Sequence, residues 1–90
     1  MASKSEYKEL IDEIIKKQIA VLGPDIAIWR ARQIEGLKVD DKGKTIDISE
    51  PENEALQKLI NTYIELSGEI VRNILNPVLA KYPTINVKIK

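Results

Sequence analysis

The fold predicted for this chain depends on the stretch SEPENEALQKLINTYIELSGEIVRNILNPVLAKY, which runs from Ser49 to Tyr82. Its apolar residues recur every three or four positions, a spacing that indicates one face of an α-helix, whereas a strand would alternate. They are Leu56, Leu59, Ile60, Tyr63, Ile64, Leu66, Ile70, Val71, Ile74, Leu75, Val78, Leu79 and Tyr82. The sequence therefore predicts one long helix over residues 49–82.

Both ends of this helix carry local signals. Ser49 and Glu52 have the spacing of a capping box, in which two side chains satisfy the free backbone donors of the first turn. Pro83 disfavours helical geometry in the residue before it and sets the end. Pro77 removes one internal hydrogen bond, so we expect a kink at Asn76 and Pro77 rather than two separate helices.

The length of this helix predicts assembly. At about 1.5 Å per residue it would span roughly 50 Å, whereas a compact domain of this size has a radius of gyration near 13 Å. Its broad apolar face would then need a second subunit to cover it, and Gly68 could allow a close helix crossing. We expect a helix-mediated homodimer whose interface contains Trp29, Leu56, Ile60, Tyr63, Ile70 and Ile74.

Two shorter helices are predicted before this segment. The first begins at Ser3, which forms a capping box with Glu6. Gly23 followed by Pro24 is a stop signal next to a start signal. The second helix therefore runs from Pro24 to about Glu35, with Gly36 as its C-cap residue and with Ile26, Trp29, Ala31 and Ile34 as anchors.

A β-hairpin is predicted between the helices. Strands Leu37–Val39 and Thr45–Ile48 flank a turn that contains Gly43. Leu37 and Val39 share one face of the first strand, and Ile46 and Ile48 share one face of the second. Pairing in register would give a ribbon with one apolar side.

The C-terminal residues Ile85, Val87 and Ile89 alternate with polar residues, a pattern typical of a half-buried strand. This strand would join the hairpin, because an isolated two-stranded ribbon is marginally stable. The alternatives are exchange with a second subunit and a frayed tail. The fold class expected for residues 1–90 is thus a single α+β domain that is mainly α, with two N-terminal helices, a hairpin, one long kinked helix and a C-terminal strand.

Composition excludes several classes of function. Lysine plus arginine and aspartate plus glutamate both number 14, so no net charge attracts nucleic acid or an anionic membrane. The chain has no cysteine and no histidine, which removes disulfides, thiol nucleophiles, imidazole bases and the usual zinc ligands. No stretch reaches the roughly 20 apolar residues of a membrane span. We expect a cytoplasmic protein without cofactor or metal, and its composition is compatible with a thermophile.

Two acidic residues of the hairpin turn suggest calcium binding. Asp40 and Asp41 could offer oxygens to calcium, but Lys42 and Lys44 occupy the spacing that further ligands would need, so a role in the turn is expected.

Glu65, Glu69 and Arg72 lie along one side of the predicted helix and could imitate an acid, a base and an electrophile. A solvated ladder of ion pairs is the simpler interpretation of these three residues.

The best binding candidate is Trp29 with Arg30, Arg32 and Gln33, because one short helix then offers an aromatic ring and two guanidinium groups. Trp29 is the only tryptophan, and burial in the core or in a subunit interface is the simpler role for it.

Three functions are compatible with these observations. The first is a non-catalytic dimerisation or protein-interaction domain, acting as a regulatory module of a larger assembly. The second is a winged-helix-like dimer that binds nucleic acid through residues 24–35, which the neutral charge disfavours. The third is a small-ligand sensor or enzyme with a pocket between subunits.

Overall fold

The computed structural model describes residues 3–85 and residue 87, and this part of the chain is mainly helical with one small antiparallel sheet. Its elements are α1 Lys4–Leu22, α2 Pro24–Arg32, β1 Leu37–Val39, β2 Thr45–Ile48, α3 Glu52–Ser67 and α4 Glu69–Leu79. The predicted class, α+β and mainly α, is confirmed.

Helix α1 lies at the centre of the fold and packs against α2, β2, α3 and α4. Its predicted capping box is present, because the backbone N–H of Glu6 donates to Ser3 Oγ at 3.2 Å and the Ser3 N–H donates to Glu6 Oε1 at 3.5 Å. The helix ends at Gly23, as predicted. The fully buried residues of α1 are Leu10, Ile11, Ile14, Ile15 and Gln18.

Helix α2 ends earlier than the predicted Glu35. Its C-cap residue is Gln33, and Gly36 lies in the turn that leads into β1. The backbone of Ile34 donates to the carbonyl of Ala31 at 3.2 Å, a three-residue spacing that tightens the chain out of the α-helix.

The hairpin has the predicted strand boundaries but a different inner face. Lys38 pairs with Asp47 and Val39 pairs with Thr45, so Ile46 is an extra residue opposite no partner, which defines a β-bulge. The bulge turns Thr45 inward and leaves Ile46 57% exposed. The expectation that Ile46 shares the buried face with Ile48 is therefore wrong.

The predicted single helix over residues 49–82 is two helices. Gly68 adopts φ +56° and ψ −122°, which side chains of L-residues rarely allow, and its N–H closes α3 by donating to the Ile64 carbonyl at 2.6 Å. The break lies at Gly68, whereas Asn76 and Pro77 lie inside α4. The capping box predicted at Ser49 is also absent, because Pro51 is the N-cap residue of α3 and no side chain caps it.

The break lets α4 fold back along α1. The Lys81 ammonium lies 3.3 Å from the Glu13 carboxylate at one end, and Val21 lies beside Ile74 nearer the other, so the two helices run antiparallel. The described residues measure 32 × 26 × 17 Å. The expectation of a helix of roughly 50 Å that overshoots its own domain is therefore wrong.

The C-terminal strand predicted over Ile85, Val87 and Ile89 depends on residues 86 and 88–90, which lie outside the described residues. Ile85 is buried, and Val87 packs half-buried against the core.

Candidate interaction surface

Two of the three large apolar residues of helix α2, Ile26 and Trp29, are exposed. Its buried residues are Ala27 and Ala31, one turn apart, so the helix lies close to the core through small side chains. Trp29 is 57% exposed and Ile26 is 50% exposed, so neither anchors the core of its own chain, and the alternative of a subunit-interface role for Trp29 stays a prediction. Burying such groups against another surface would recover the free energy that their exposure to water costs.

The predicted binding residues surround Trp29 on this helix. The Arg30 guanidinium carbon lies 5.3 Å from the centre of the indole ring, a distance typical of a cation–π contact. Arg32 and Gln33 follow at the C-terminal end of the helix, and both are exposed. Hereafter the α2 face means the residues Asp25, Ile26, Trp29, Arg30, Arg32 and Gln33.

A cavity of about 430 Å³ lies beside the α2 face, between the helix and the hairpin turn. Asp25 and Asp41 place carboxylates in its wall, and Arg32 places a guanidinium there. None of these three side chains forms an ion pair or a side-chain hydrogen bond with any other residue that the structure describes. Asp25 and Arg32 are separated by about 10 Å along the helix axis, at about 1.5 Å per residue. Trp29 thus lies between two unpaired charges of opposite sign, the Asp25 carboxylate before it and the Arg32 guanidinium after it.

The hairpin turn that borders this cavity is fixed by Asp40. Its Oδ1 accepts backbone hydrogen bonds from Lys44 at 2.8 Å and from Lys42 at 2.9 Å. The hydrogen bond from the Lys44 backbone is the main cause that holds the pKa of Asp40 below its usual value. Within residues 3–85 and 87, no group of three acidic side chains could hold a metal ion. Asp40 therefore acts as a turn residue.

The same turn rests on the helices through Gly43, which is buried at φ +88°. A Cβ atom at this position would lie 3.1 Å from Ile15 Cγ2 and 3.2 Å from Ile28 Cγ1. Only glycine combines this backbone conformation with so close an approach. Gly43 thereby lets the hairpin turn approach α1 and α2 closely.

A second apolar surface lies between α1 and α4. Ile70 is 55% exposed, and Ile74 and Pro77 follow it at helical spacing on the same side of α4. Ile74 and Pro77 border a cavity of about 340 Å³ whose opposite wall contains Val21 of α1.

Three of the predicted interface residues lie inside the chain itself. Leu56, Ile60 and Tyr63 are fully buried in the core, so they are not on the surface of the folded chain. The Tyr63 hydroxyl donates to the backbone carbonyl of Ala27 at 2.7 Å, which fixes α2 from beneath. Burial raises the pKa of this hydroxyl above its ordinary value. Trp29, Ile70 and Ile74 remain as predicted interface residues that the structure leaves at the surface.

The acidic candidates on the helices are separated by the break at Gly68. Glu65 belongs to α3, whereas Glu69 and Arg72 belong to α4 and form an ion pair at 3.4 Å. The Glu69 side chain is largely exposed, so this contact is an ordinary surface ion pair and contributes little to stability.

Sequence reasoning missed Gln18 and Ile46. Gln18 lies on the apolar side of α1 by its position, but its polar side chain removed it from the predicted core. Ile46 fits the alternation of a strand, and only the bulge moves it outward. The spacing of Gln18 from Ile11, Ile14 and Ile15 was the available signal.

Comparison of the chain with protein-family models, with curated proteins and with solved structures gave no match. Among the described residues, no helix is both long enough and apolar enough to cross a bilayer.

Proposed function

We propose that this chain is a non-catalytic protein-interaction domain that forms a homodimer through the α2 face. The observation that carries the proposal is the exposure of Trp29 and Ile26 on a helix that buries only alanines. Tryptophan and arginine are the residue types most enriched at the energetic centres of protein interfaces. The α2 face combines both in one helix of nine residues.

The charges of this face favour a second copy as the partner. If two α2 helices pack antiparallel around a two-fold axis between residues 28 and 29, Asp25 faces the partner's Arg32. By the same symmetry, Arg32 faces the partner's Asp25, and the two indole rings meet beside the axis. A surface that is self-complementary in charge, with an apolar centre, suits an isologous interface.

Nucleic acid is a weaker candidate for the same face. Asp25 and Asp41 lie in the cavity wall beside Arg32, so a phosphate backbone would meet two unpaired carboxylates. A catalytic role for the cavity is not supported either, because its Asp25, Asp41 and Arg32 side chains form no ion pair with one another that would suggest a coupled acid and base.

Sedimentation equilibrium at several concentrations tests the proposal, with Trp29→Ala as the first variant. We expect the dimer dissociation constant to rise at least about 30-fold, because a central tryptophan contributes about 2 kcal/mol or more. A monomeric wild-type chain at every concentration would refute the proposal.

Charge reversal tests the two-fold geometry. Asp25→Lys alone and Arg32→Glu alone would each place like charges opposite one another and weaken the dimer by about tenfold. The double variant restores opposite charges and should recover most of the lost affinity. If it is as weak as the single variants, the antiparallel arrangement is wrong. Circular dichroism of each variant checks that α2 remains folded, and Ile46→Ala, which removes an exposed apolar side chain on β2, is the matched control.

A further inference from the structure

The surface between α1 and α4 differs from the α2 face in shape and in charge. Two adjoining cavities of about 340 and 320 Å³ share Lys17, Ala20 and Lys81 in their walls, so they form one continuous groove. The floor is apolar, because Val78 is almost fully buried and Ala20 contributes only a methyl group. We refer to this feature as the α1–α4 groove.

The rim of the groove is basic. It contains three lysines, Lys16, Lys17 and Lys81. Glu13 is the one acidic residue among those that line the two cavities. Glu13 is already engaged by Lys81 at 3.3 Å. Lys16 and Lys17 form no ion pair with any other residue that the structure describes. The groove therefore offers an apolar floor with two free ammonium groups at its edge.

The dimensions of the groove suit a helix. Its α4 side extends from Ile74 past Val78 to Lys81, which is about 10 Å or two helical turns. Amphipathic helices bind such grooves through apolar anchors at spacings of three, four and seven residues. Ile70, 55% exposed at one end, would extend the contact beyond the cavities themselves.

We propose that the α1–α4 groove binds an acidic amphipathic helix of a partner protein. The apolar residues of that helix would lie on Ala20, Val21 and Ile74, and its carboxylates would pair with Lys16 and Lys17. A second copy of this chain does not suit the groove, because a symmetric contact would bring two lysine clusters together. This inference concerns a different surface from the α2 face and does not depend on dimer formation there.

Two synthetic helical peptides test the proposal by fluorescence anisotropy with the full chain. Both carry leucines at positions spaced by three and four residues, and the remaining positions are glutamate in one peptide and lysine in the other. We expect the glutamate peptide to bind at least about tenfold more tightly than the lysine peptide, with an affinity that falls as salt rises. Equal binding of the two peptides, or no binding of the glutamate peptide, would overturn the proposal.

Variants of the groove locate the contact. The double variant Lys16→Glu with Lys17→Glu should abolish the preference for the glutamate peptide, and Ala20→Trp, which fills the floor, should weaken its binding by at least about tenfold. Lys58→Glu on α3 reverses the charge of an exposed side chain outside the groove and should leave the affinity for the glutamate peptide unchanged. If Lys58→Glu weakens binding as much as the groove variants do, the attraction is nonspecific and the assignment fails.

Vesicles of phosphatidylcholine and phosphatidylglycerol provide the competing outcome. A lysine rim around apolar residues could also attract an anionic bilayer, but a concave floor suits the ridge of a helix better than a flat surface. The helix proposal would be refuted, and the surface assigned to membrane, by two results together. The chain would bind vesicles as strongly with Ala20→Trp as without it, and it would show no saturable binding of the glutamate peptide. The Trp29→Ala variant should bind the glutamate peptide as the wild type does, which separates this test from that of the α2 face.

Discussion

Replacing Gly68 by alanine tests whether tertiary packing or helix propensity decides the path of the chain between α3 and α4. Gly68 has φ +56° and ψ −122°, and a Cβ atom there would meet only the Ile64 carbonyl oxygen at 4.0 Å. Space is therefore available, and the cost of the substitution lies in the backbone conformation. The chain can either retain the break under strain or straighten into one helix.

The magnitudes favour retaining the break. A non-glycine residue in such a conformation costs about 1–3 kcal/mol. Straightening would remove α4 from the core and expose Val71, Leu75 and Val78, at about 1.5–3 kcal/mol for each side chain. The gain of up to about 1 kcal/mol from alanine in a continuous helix does not offset that loss. We expect Gly68→Ala to keep the compact fold and to lower the free energy of unfolding by about 1–3 kcal/mol.

Urea denaturation and small-angle X-ray scattering measure the two quantities. One helix over residues 52–79 would be about 42 Å long, longer than the 32 Å maximum extent of the described fold, so straightening would raise the radius of gyration from its present 11.6 Å. Ser67→Ala is the matched control, since its Oγ is buried without a partner and its loss should not destabilise the chain. An elongated Gly68→Ala variant of unchanged stability would show that helix propensity, and not packing, decides the path of the chain.

Three buried or partly buried polar groups give further predictions, each measured by chemical denaturation. Tyr63→Phe removes the hydrogen bond to Ala27 and should lower the free energy of unfolding by about 1 kcal/mol at pH 7. Because burial in the fold raises the pKa of Tyr63, the stability of the wild-type chain should fall as pH rises above the ordinary tyrosine pKa near 10. Tyr63→Phe should reduce that fall. Parallel profiles of stability against pH for the two proteins would contradict this. Gln18→Met should stabilise the chain by about 1–2 kcal/mol, because both polar atoms of Gln18 are buried without a partner, and a destabilised variant would indicate that a water molecule satisfies them. Asp12→Ala should cost about 1–3 kcal/mol by removing the 2.6 Å acceptor of the Thr45 N–H, and an unchanged midpoint would show that water replaces it.

The elements that sequence reasoning located correctly have local causes. The start of α1 depends on Ser3 and Glu6, which lie three residues apart and satisfy each other's backbone donors. The division between α1 and α2 follows from Gly23 and Pro24, whose backbone preferences act without any distant contact. The strand boundaries followed in the same way from β-branched residues around a turn that contains Gly43.

The errors have long-range causes. The predicted helix through Gly68 followed the apolar periodicity on both sides of the glycine, but it left out the gain from folding α4 back against α1. Ile46 was predicted to point inward because residues of a regular strand alternate between its two faces. The bulge opposite Lys38 and Val39 interrupts that alternation. The exposure of Trp29 could not be predicted from its residue type, because tryptophan is usually buried and only the approach of Ala27 and Ala31 to the core turns the ring outward.

Sequence alone was sufficient for the number of charges, the α+β class, the strands of the hairpin, both ends of α1 and the start of α2, because composition, periodicity and capping act over a few neighbouring positions. The tertiary structure alone decided that the long apolar stripe covers the chain's own core and that Trp29 and Ile70 face outward. An amphipathic helix can bury its apolar face equally well against its own chain or against a partner, so the apolar stripe alone does not distinguish the two. Only the turn at Gly68 makes the contact with its own chain possible.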